Sequence, residues 1–391
     1  MPILRHSIAS LYVHVPFCAQ KCSYCAFFSE ASSGELINRY VAALIRELEI
    51  VADDLRPRTI FFGGGTPSLL NLQQWESVLR AMERLNLNRP AEWTVECNPA
   101  TVSLDKAKLL RDFGVNRISM GVQSLDEDLL DRLGRVHSRA MVFKSFEILR
   151  KAGFDNINLD LMFAIPTQTM AAWKSTLDEA IAMQSEHLST YEVIYEEDTP
   201  LFHQLQAGKV DVNEDLACDM YEELLAHCTH AGFVQYEVAN FAKDVASERA
   251  SDTPDVPSRA CQHNVNYWRG GSFHGLGPSA TGYVEGVRTK NWSNTQLYCE
   301  QLEKGKRAIE STETLEPLAR AGETAAFGLR MVAGWPFAEF EKTTGHDLRQ
   351  HWAGDMSGLV EQGWGTLAPD RFQLTSTGLR FADAAAEKFL R

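Results

Sequence analysis

The chain has 391 residues, 45% of them hydrophobic and 23% charged, with a formal net charge of -14 at pH 7. Its length exceeds one average domain and its composition is ordinary for a soluble globular protein, with no run near the roughly 20 apolar residues of a membrane helix. The acidic balance argues against nonspecific binding to nucleic acid or anionic lipid, which rests on clustered Lys and Arg. The first ten residues carry no apolar h-region and no small-residue cleavage site, so a cytoplasmic location is expected. In that reducing compartment eight cysteines, three of them within eight residues, read as a metal site plus buried thiols.

Up to about residue 195, short β-branched or aromatic runs alternate with stretches of 3.6-residue apolar periodicity, the pattern of repeated βα units. Strands are predicted over Leu11–Val15, Thr59–Phe62, Trp93–Glu96, Arg117–Val122, Ile157–Phe163 and Leu188–Val193. Helices are predicted between them over Leu36–Asp54, Leu72–Leu85, Leu104–Phe113, Arg139–Ala152 and Met170–Met183. Six such units, wound right-handedly, give an α/β fold in the form of a partial (β/α)6 barrel. The glycines after Phe62, together with Glu96, Gln123 and Asp160, fall at strand ends. They should converge on the carboxyl-end face, where α/β barrels bind ligands.

A further helix is predicted over Leu216–Ala231. Residues 243–259, rich in Ser, Asp and Pro, read as an exposed linker after a 1–242 barrel unit. Residues 260–310 include a glycine-rich aromatic stretch expected to pack on the barrel. In 311–391, three helix-like segments precede two short strands, Gly365–Leu367 and Arg371–Leu374, the layout of a small winged-helix-like α+β domain. Leu348–Leu367 offers no basic recognition helix, so this module is expected to cap the barrel or dock a partner, with no role in nucleic-acid binding.

Cys18, Cys22 and Cys25 have the spacing C-x3-C-x2-C, compact enough for one loop to place three thiolates on three corners of an iron-sulfur cubane. The fourth iron then keeps the open position that a reacting ligand requires. A zinc site is the alternative, but it wants a fourth protein ligand. His14 is the conceivable one, and its place within a strand points to packing.

The run Tyr12-Val13-His14-Val15-Pro16-Phe17-Cys18, continued by Lys21-Cys22-Ser23-Tyr24-Cys25-Ala26-Phe27, resembles the radical SAM superfamily. Within it, the chain is similar to the branch of oxygen-independent coproporphyrinogen III oxidase and the HemW-type heme chaperones. Gly63-Gly64-Gly65-Thr66-Pro67-Ser68, Glu96-Cys97-Asn98-Pro99, Ser119 to Ser124, Gly134-Arg135-Val136-His137 and Asn158 to Met162 extend the resemblance in order. The resemblance implies a [4Fe-4S] cluster on Cys18, Cys22 and Cys25, with S-adenosylmethionine chelating the open iron. It implies cofactor contacts from Tyr12, Tyr24, Gly64, Glu96, Gln123, Arg135 and Asp160, with Gly65 and Thr66 beside them and Thr281 returning from a later segment. The implied chemistry is one-electron: a reduced cluster, fed by a flavodoxin- or ferredoxin-type donor, cleaves the sulfonium to give an adenosyl radical.

Two departures separate the chain from the oxidase, which carries a further cysteine where Phe27 stands and a long segment before the motif, against 17 residues here. Both match the chaperones. So does His263-Asn264-Val265-Asn266-Tyr267-Trp268, an HNxxYW motif. The resemblance implies a heme site from His263, Asn264, Tyr267 and Trp268, with His263 on the iron and Cys261 or His274 as alternatives. The expected function is to bind heme and deliver it to apo-hemoproteins, membrane-bound ones among them, without a membrane segment. The alternative is coproporphyrinogen oxidation or another radical SAM reaction on a tetrapyrrole. No catalytic residue is assigned, and the resemblance leaves open whether the chain is an enzyme.

Overall fold

The computed structural model describes residues 8–31, 33–249 and 255–390. The leader reading of residues 1–7 and the middle of the 243–259 linker lie outside the described residues.

Nine strands form the main sheet: β1 (Ile8–Val15), β2 (Leu55–Gly64), β3 (Glu92–Cys97), β4 (Arg117–Gln123), β5 (Ile157–Phe163), β6 (His187–Glu192), β7 (Phe233–Glu237), β8 (Asn240–Lys243) and β9 (His274–Leu276). Their order is β7-β8-β6-β5-β4-β3-β2-β1-β9. The run β1 to β6 is parallel throughout, each neighbour following the last in sequence, which is the partial (β/α)6 barrel expected of six βα units. Alternation along each strand assigns the faces. On β2, Ile60 and Phe62 are fully buried toward the helices, and Phe62 meets Trp75 of the helix Leu72–Arg84 with ring centroids 5.3 Å apart. Thr59, Phe61 and Gly63 take the opposite, inner face. Side-chain caps start the outer helices where the turns end: Asn71, Ser103, Ser138 and Thr169 each accept from a backbone N–H of the first turn.

The sheet is wider than six strands. The β7–β8 hairpin adds antiparallel to β6, and β9 adds parallel to β1 through Leu11–His274, Tyr12–Gly275 and Val13–Leu276. These strands are three to five residues long, too short to show a period of two. A second sheet of β10 (Thr281–Val284), β11 (Val287–Asn291) and β12 (Ile309–Thr314) follows.

The C-terminal module has its own core, with Trp335, Phe340, Trp352, Phe372 and Phe389 fully buried. The predicted hairpin is present as β14 (Gly365–Leu367) and β15 (Arg371–Leu374). It is joined by a two-residue strand, β13 (Trp335–Pro336), that completes a small antiparallel wing.

Candidate functional site at the barrel mouth

The three cysteines lie on the loop leaving β1, each partly exposed. The loop is tied at its base, where Cys18 N–H donates to Glu30 O and Glu30 N–H to Pro16 O. Arg135 reaches it from the far side of the mouth: Nη1 lies 3.4 Å from Cys22 Sγ, while Nη2 donates to Gly121 O at 2.7 Å. Thr66 Oγ1 stands 3.5 Å from Cys18 Sγ. Among the described residues no three His, Cys, Asp or Glu side chains converge on one metal point.

The mouth is built from inward-facing residues at the carboxyl ends of β1 to β5. Tyr12 O–H donates to His14 Nδ1 at 3.0 Å, because His14 Nε2–H donates to Phe28 O at 2.8 Å. Both ring nitrogens of His14 are therefore used, and burial holds the imidazole neutral by lowering its pKa. Gly64 has φ +100°, and a Cβ there would overlap the His14 ring. Its glycine is thus required by protein packing, and its N–H is left to donate to Glu96 Oε2 at 3.2 Å. A Cβ on Gly65 would stand 2.7 Å from the Val15 carbonyl oxygen, to which the Gly65 N–H donates at 2.8 Å.

Glu96 and Asp160 are the two carboxylates of the mouth. Burial, then the neighbouring Asp160, raises Glu96 from 4.5 to about 8. Burial raises Asp160 to about 6, although Asn158 Nδ2 at 2.8 Å and Ser119 Oγ at 3.1 Å both donate to it. Gln123 closes β4 with φ +67°, next to a register shift between Gly121 and Gln123, a backbone conformation that non-glycine residues hold mainly where the surroundings demand it. The Gln123 and Arg135 side chains meet over Gly121. Tyr24 packs with Leu129, Met162 and Val193 at the rim. Thr281 sits against Gly275, the β9 partner of Tyr12.

These residues fit the implied groups. The thiols are partly exposed, and Arg135, whose Nη1 approaches Cys22 Sγ, keeps a buried Nε with no hydrogen-bond partner among the described residues. Two buried carboxyl groups, Glu96 and Asp160, line the mouth as partners for a hydroxyl-bearing ligand.

The HNxxYW residues lie elsewhere. They form the helix Gln262–Trp268, which seats against the amino-end side of the barrel. Glu92, the first residue of β3, accepts from the N–H groups of Gln262 at 2.9 Å and His263 at 3.0 Å. His263 is 1% exposed, and its ring stacks on Phe61 at 5.3 Å. Its Nδ1 is 2.9 Å from Thr59 Oγ1 and its Nε2 is 2.7 Å from Tyr267 O–H, so neither nitrogen is free. Burial and the charge of Arg117 lower its pKa to about 3. Thr59 precedes Gly63 by four residues, roughly 13 Å of strand. Trp268 packs on Phe327 and under Arg330 of the C-terminal part, and Asn264 is half-buried on the same helix. Cys261 and His274 are buried too.

Sequence reasoning did not single out Arg117, Ser119, Asn158 and Glu92, the inner-face residues that support the carboxylates and the motif helix. Their signal was the alternation Arg117, Ser119, Gly121 and Asn158, Asp160, polar positions on strands whose other face is continuously apolar.

A partial parallel barrel with three thiols on the loop after its first strand, and a carboxylate-lined mouth beside them, defines a radical SAM protein. The family model of the radical SAM superfamily matches residues 12–180, and that of the HemN C-terminal domain matches 315–381. The heme chaperone HemW of Lactococcus lactis is 34% identical over 97% of this chain and 97% of its own length. The heme chaperone HemW of Escherichia coli is 34% identical over 97% and 98%. The Escherichia coli coproporphyrinogen III oxidase structure superposes with a TM-score of 0.81 over 98% of this chain and 90% of its own, at 20% identity, a likeness of fold. The chain belongs to the HemW family of the radical SAM superfamily.

Proposed function

We propose that this chain is a heme chaperone: it binds a [4Fe-4S] cluster on Cys18, Cys22 and Cys25, S-adenosylmethionine at the mouth, and heme as cargo for apo-hemoproteins. The observation that carries the reading is end-to-end similarity to heme chaperones, at 34% identity over 97% of the chain. When bound, the cluster supplies one-electron reduction of the cofactor's sulfonium, drawing on a flavodoxin- or ferredoxin-type donor. The chain's part is to hold the ligands: Glu96 and Asp160 take the cofactor's hydroxyl and cationic groups, Tyr12, Tyr24 and Gln123 line the cavity with Gly64, Gly65 and Thr66, Arg135 anchors the loop, and Thr281 closes the β9 side. Among the described residues no helix is long and apolar enough to cross a membrane, so membrane-bound recipients are met by docking.

Heme ligation by His263 requires one of its ring nitrogens to leave its partner, Thr59 on Nδ1 or Tyr267 on Nε2, opening the site on demand. Asn264, Tyr267 and Trp268 then supply polar and aromatic contacts to the porphyrin. The test is anaerobic reconstitution followed by heme titration of the native chain and of His263→Ala. The expected result is a heme absorbance band that the variant loses. Unchanged affinity would transfer the ligand role to Cys261 or His274, and conversion of coproporphyrinogen to protoporphyrinogen would overturn the chaperone reading.

A further inference from the structure

His14 is buried on the inner face of β1, on the same side of the strand as Tyr12 and one turn of loop before Cys18. Its imidazole touches three parts of the mouth. Nε2–H donates at 2.8 Å to the carbonyl of Phe28, just past Cys25, and so ties the exit of the cysteine loop to the strand. Nδ1 accepts from Tyr12 O–H at 3.0 Å. The ring face leaves no room for a Cβ on Gly64. A carbonyl oxygen can only accept, so the Phe28 bond puts the ring hydrogen on Nε2 and makes Nδ1 of the neutral ring an acceptor. A tyrosine hydroxyl has a single hydrogen to donate. Among the described residues His14 is its one hydrogen-bond partner, so that hydrogen is committed to the ring and the oxygen keeps lone pairs for whatever enters the mouth.

We propose that His14 is a positioning residue for S-adenosylmethionine: by accepting the Tyr12 O–H while it holds the Phe28 carbonyl, it presents the Tyr12 oxygen to the cofactor as a hydrogen-bond acceptor. This rests on the reading of the mouth as the cofactor site. The cofactor's ammonium, ribose hydroxyls and adenine amino group are donors that such an oxygen can meet. Without the His14 acceptor the hydroxyl is free to turn its hydrogen into the mouth, where it opposes those donors. Burial keeps both partners in the required form, His14 without a charge and Tyr12 un-ionised. The backbone behind the ring is fixed as well. Tyr40 O–H donates to the His14 carbonyl at 2.8 Å, and β1 pairs with β2 at His14–Gly63. The imidazole therefore cannot follow a movement of Tyr12 without leaving Phe28, and the orientation of the hydroxyl is set by where the cysteine loop ends.

The experiment is equilibrium binding of S-adenosylmethionine to the anaerobically reconstituted full chain and to variants that each keep one of the two His14 bonds, with affinities compared at equal iron and sulfide content. His14→Gln can reach Phe28 with its amide N–H and leaves Tyr12 without its acceptor. His14→Asn offers an acceptor near the Nδ1 position and falls short of Phe28. Affinity should drop about tenfold in His14→Gln and in Tyr12→Phe, and His14→Asn should restore most of it. The double variant Tyr12→Phe/His14→Gln should be no weaker than either single variant, since both remove the same contact. That cycle decides the question even where His14→Asn does not fold. The reverse order, with His14→Gln near native and His14→Asn weakened, would mean that His14 serves the loop alone and would overturn the inference. Losses that add in the double variant would overturn it too, in either case leaving the cofactor site standing. A native chain that binds no S-adenosylmethionine overturns both.

Discussion

Asn158 Oδ1 accepts from His187 Nδ1–H at 2.6 Å, and this one bond joins the two ends of the barrel. Above it, Asn158 Nδ2 donates to Asp160 at the mouth. Below it, His187 Nε2 accepts from Tyr236 O–H at 2.9 Å, and Tyr236 in turn accepts from the N–H of Cys261, the residue before the motif helix. His187 is fully buried, and burial followed by Arg117 keeps it neutral, so its tautomer and the direction of every bond in the ladder are fixed. The side chain of Asp160 and the helix bearing His263 are thereby linked through buried polar contacts alone.

Tyr236→Phe removes the middle rung. It leaves His187 Nε2 and the Cys261 amide without their partner, which should cost about 1–3 kcal/mol, measured as a lower denaturation midpoint. If the ladder transmits, S-adenosylmethionine binding slows amide hydrogen exchange over Cys261–Trp268 in the native chain and leaves it unchanged in Tyr236→Phe. Equal slowing in both would show that the rung carries stability and no coupling.

Gly64→Ala tests the packing of the mouth in the absence of any ligand. The new methyl meets the His14 imidazole on a backbone at φ +100°, so the loop must shift or His14 must leave Phe28. A loss of about 2 kcal/mol or more is expected in the apo protein by chemical denaturation. An unperturbed midpoint would mean that the glycine serves the cofactor alone.

The barrel was legible in the sequence because βα units leave a coarse record: buried parallel strands read as apolar runs, and helices as 3.6-residue periodicity. The mouth was legible because its residues close strands, as Glu96 and Gln123 do. Arg117, at the opposite, opening end of β4, left only the polar alternation of its strand as a trace, and that pattern fits an exposed edge as well as a barrel floor. The HNxxYW helix was legible as a motif but not as a location, since its position depends on Glu92, 171 residues away in sequence from His263. The Gly63 to Gly65 run was read as a ligand cradle, and Gly64 and Gly65 proved to be needed first by His14 and Val15.

The carboxylate pair gives the apo protein a defined pH dependence. Glu96 titrates near 4.5 when unfolded and near 8 when folded, so between those values the native state binds more protons than the unfolded chain. Stability must then fall as pH rises through that window. From about pH 6 to about pH 8 the apo protein should lose roughly 2 kcal/mol, read from denaturation midpoints, and Glu96→Gln should flatten the curve. A curve that instead rises across the same range would mean that Glu96 is already ionised in the folded apo state.

Tyr267→Phe addresses how heme reaches His263. The Tyr267 hydroxyl donates to His263 Nε2 while Thr59 engages Nδ1, so an incoming iron must compete for a nitrogen that is already bonded. Because burial and Arg117 hold the ring neutral, with a pKa of about 3, no proton has to leave first, and the barrier is the hydrogen bond together with stacking on Phe61. A neutral hydrogen bond contributes about 1 kcal/mol net. Removing the hydroxyl should therefore strengthen heme binding about fivefold and speed its onset, while His263→Ala abolishes it. Weaker binding in Tyr267→Phe would place the hydroxyl on the heme itself, and an identical affinity in both variants and the native chain would remove His263 from the iron.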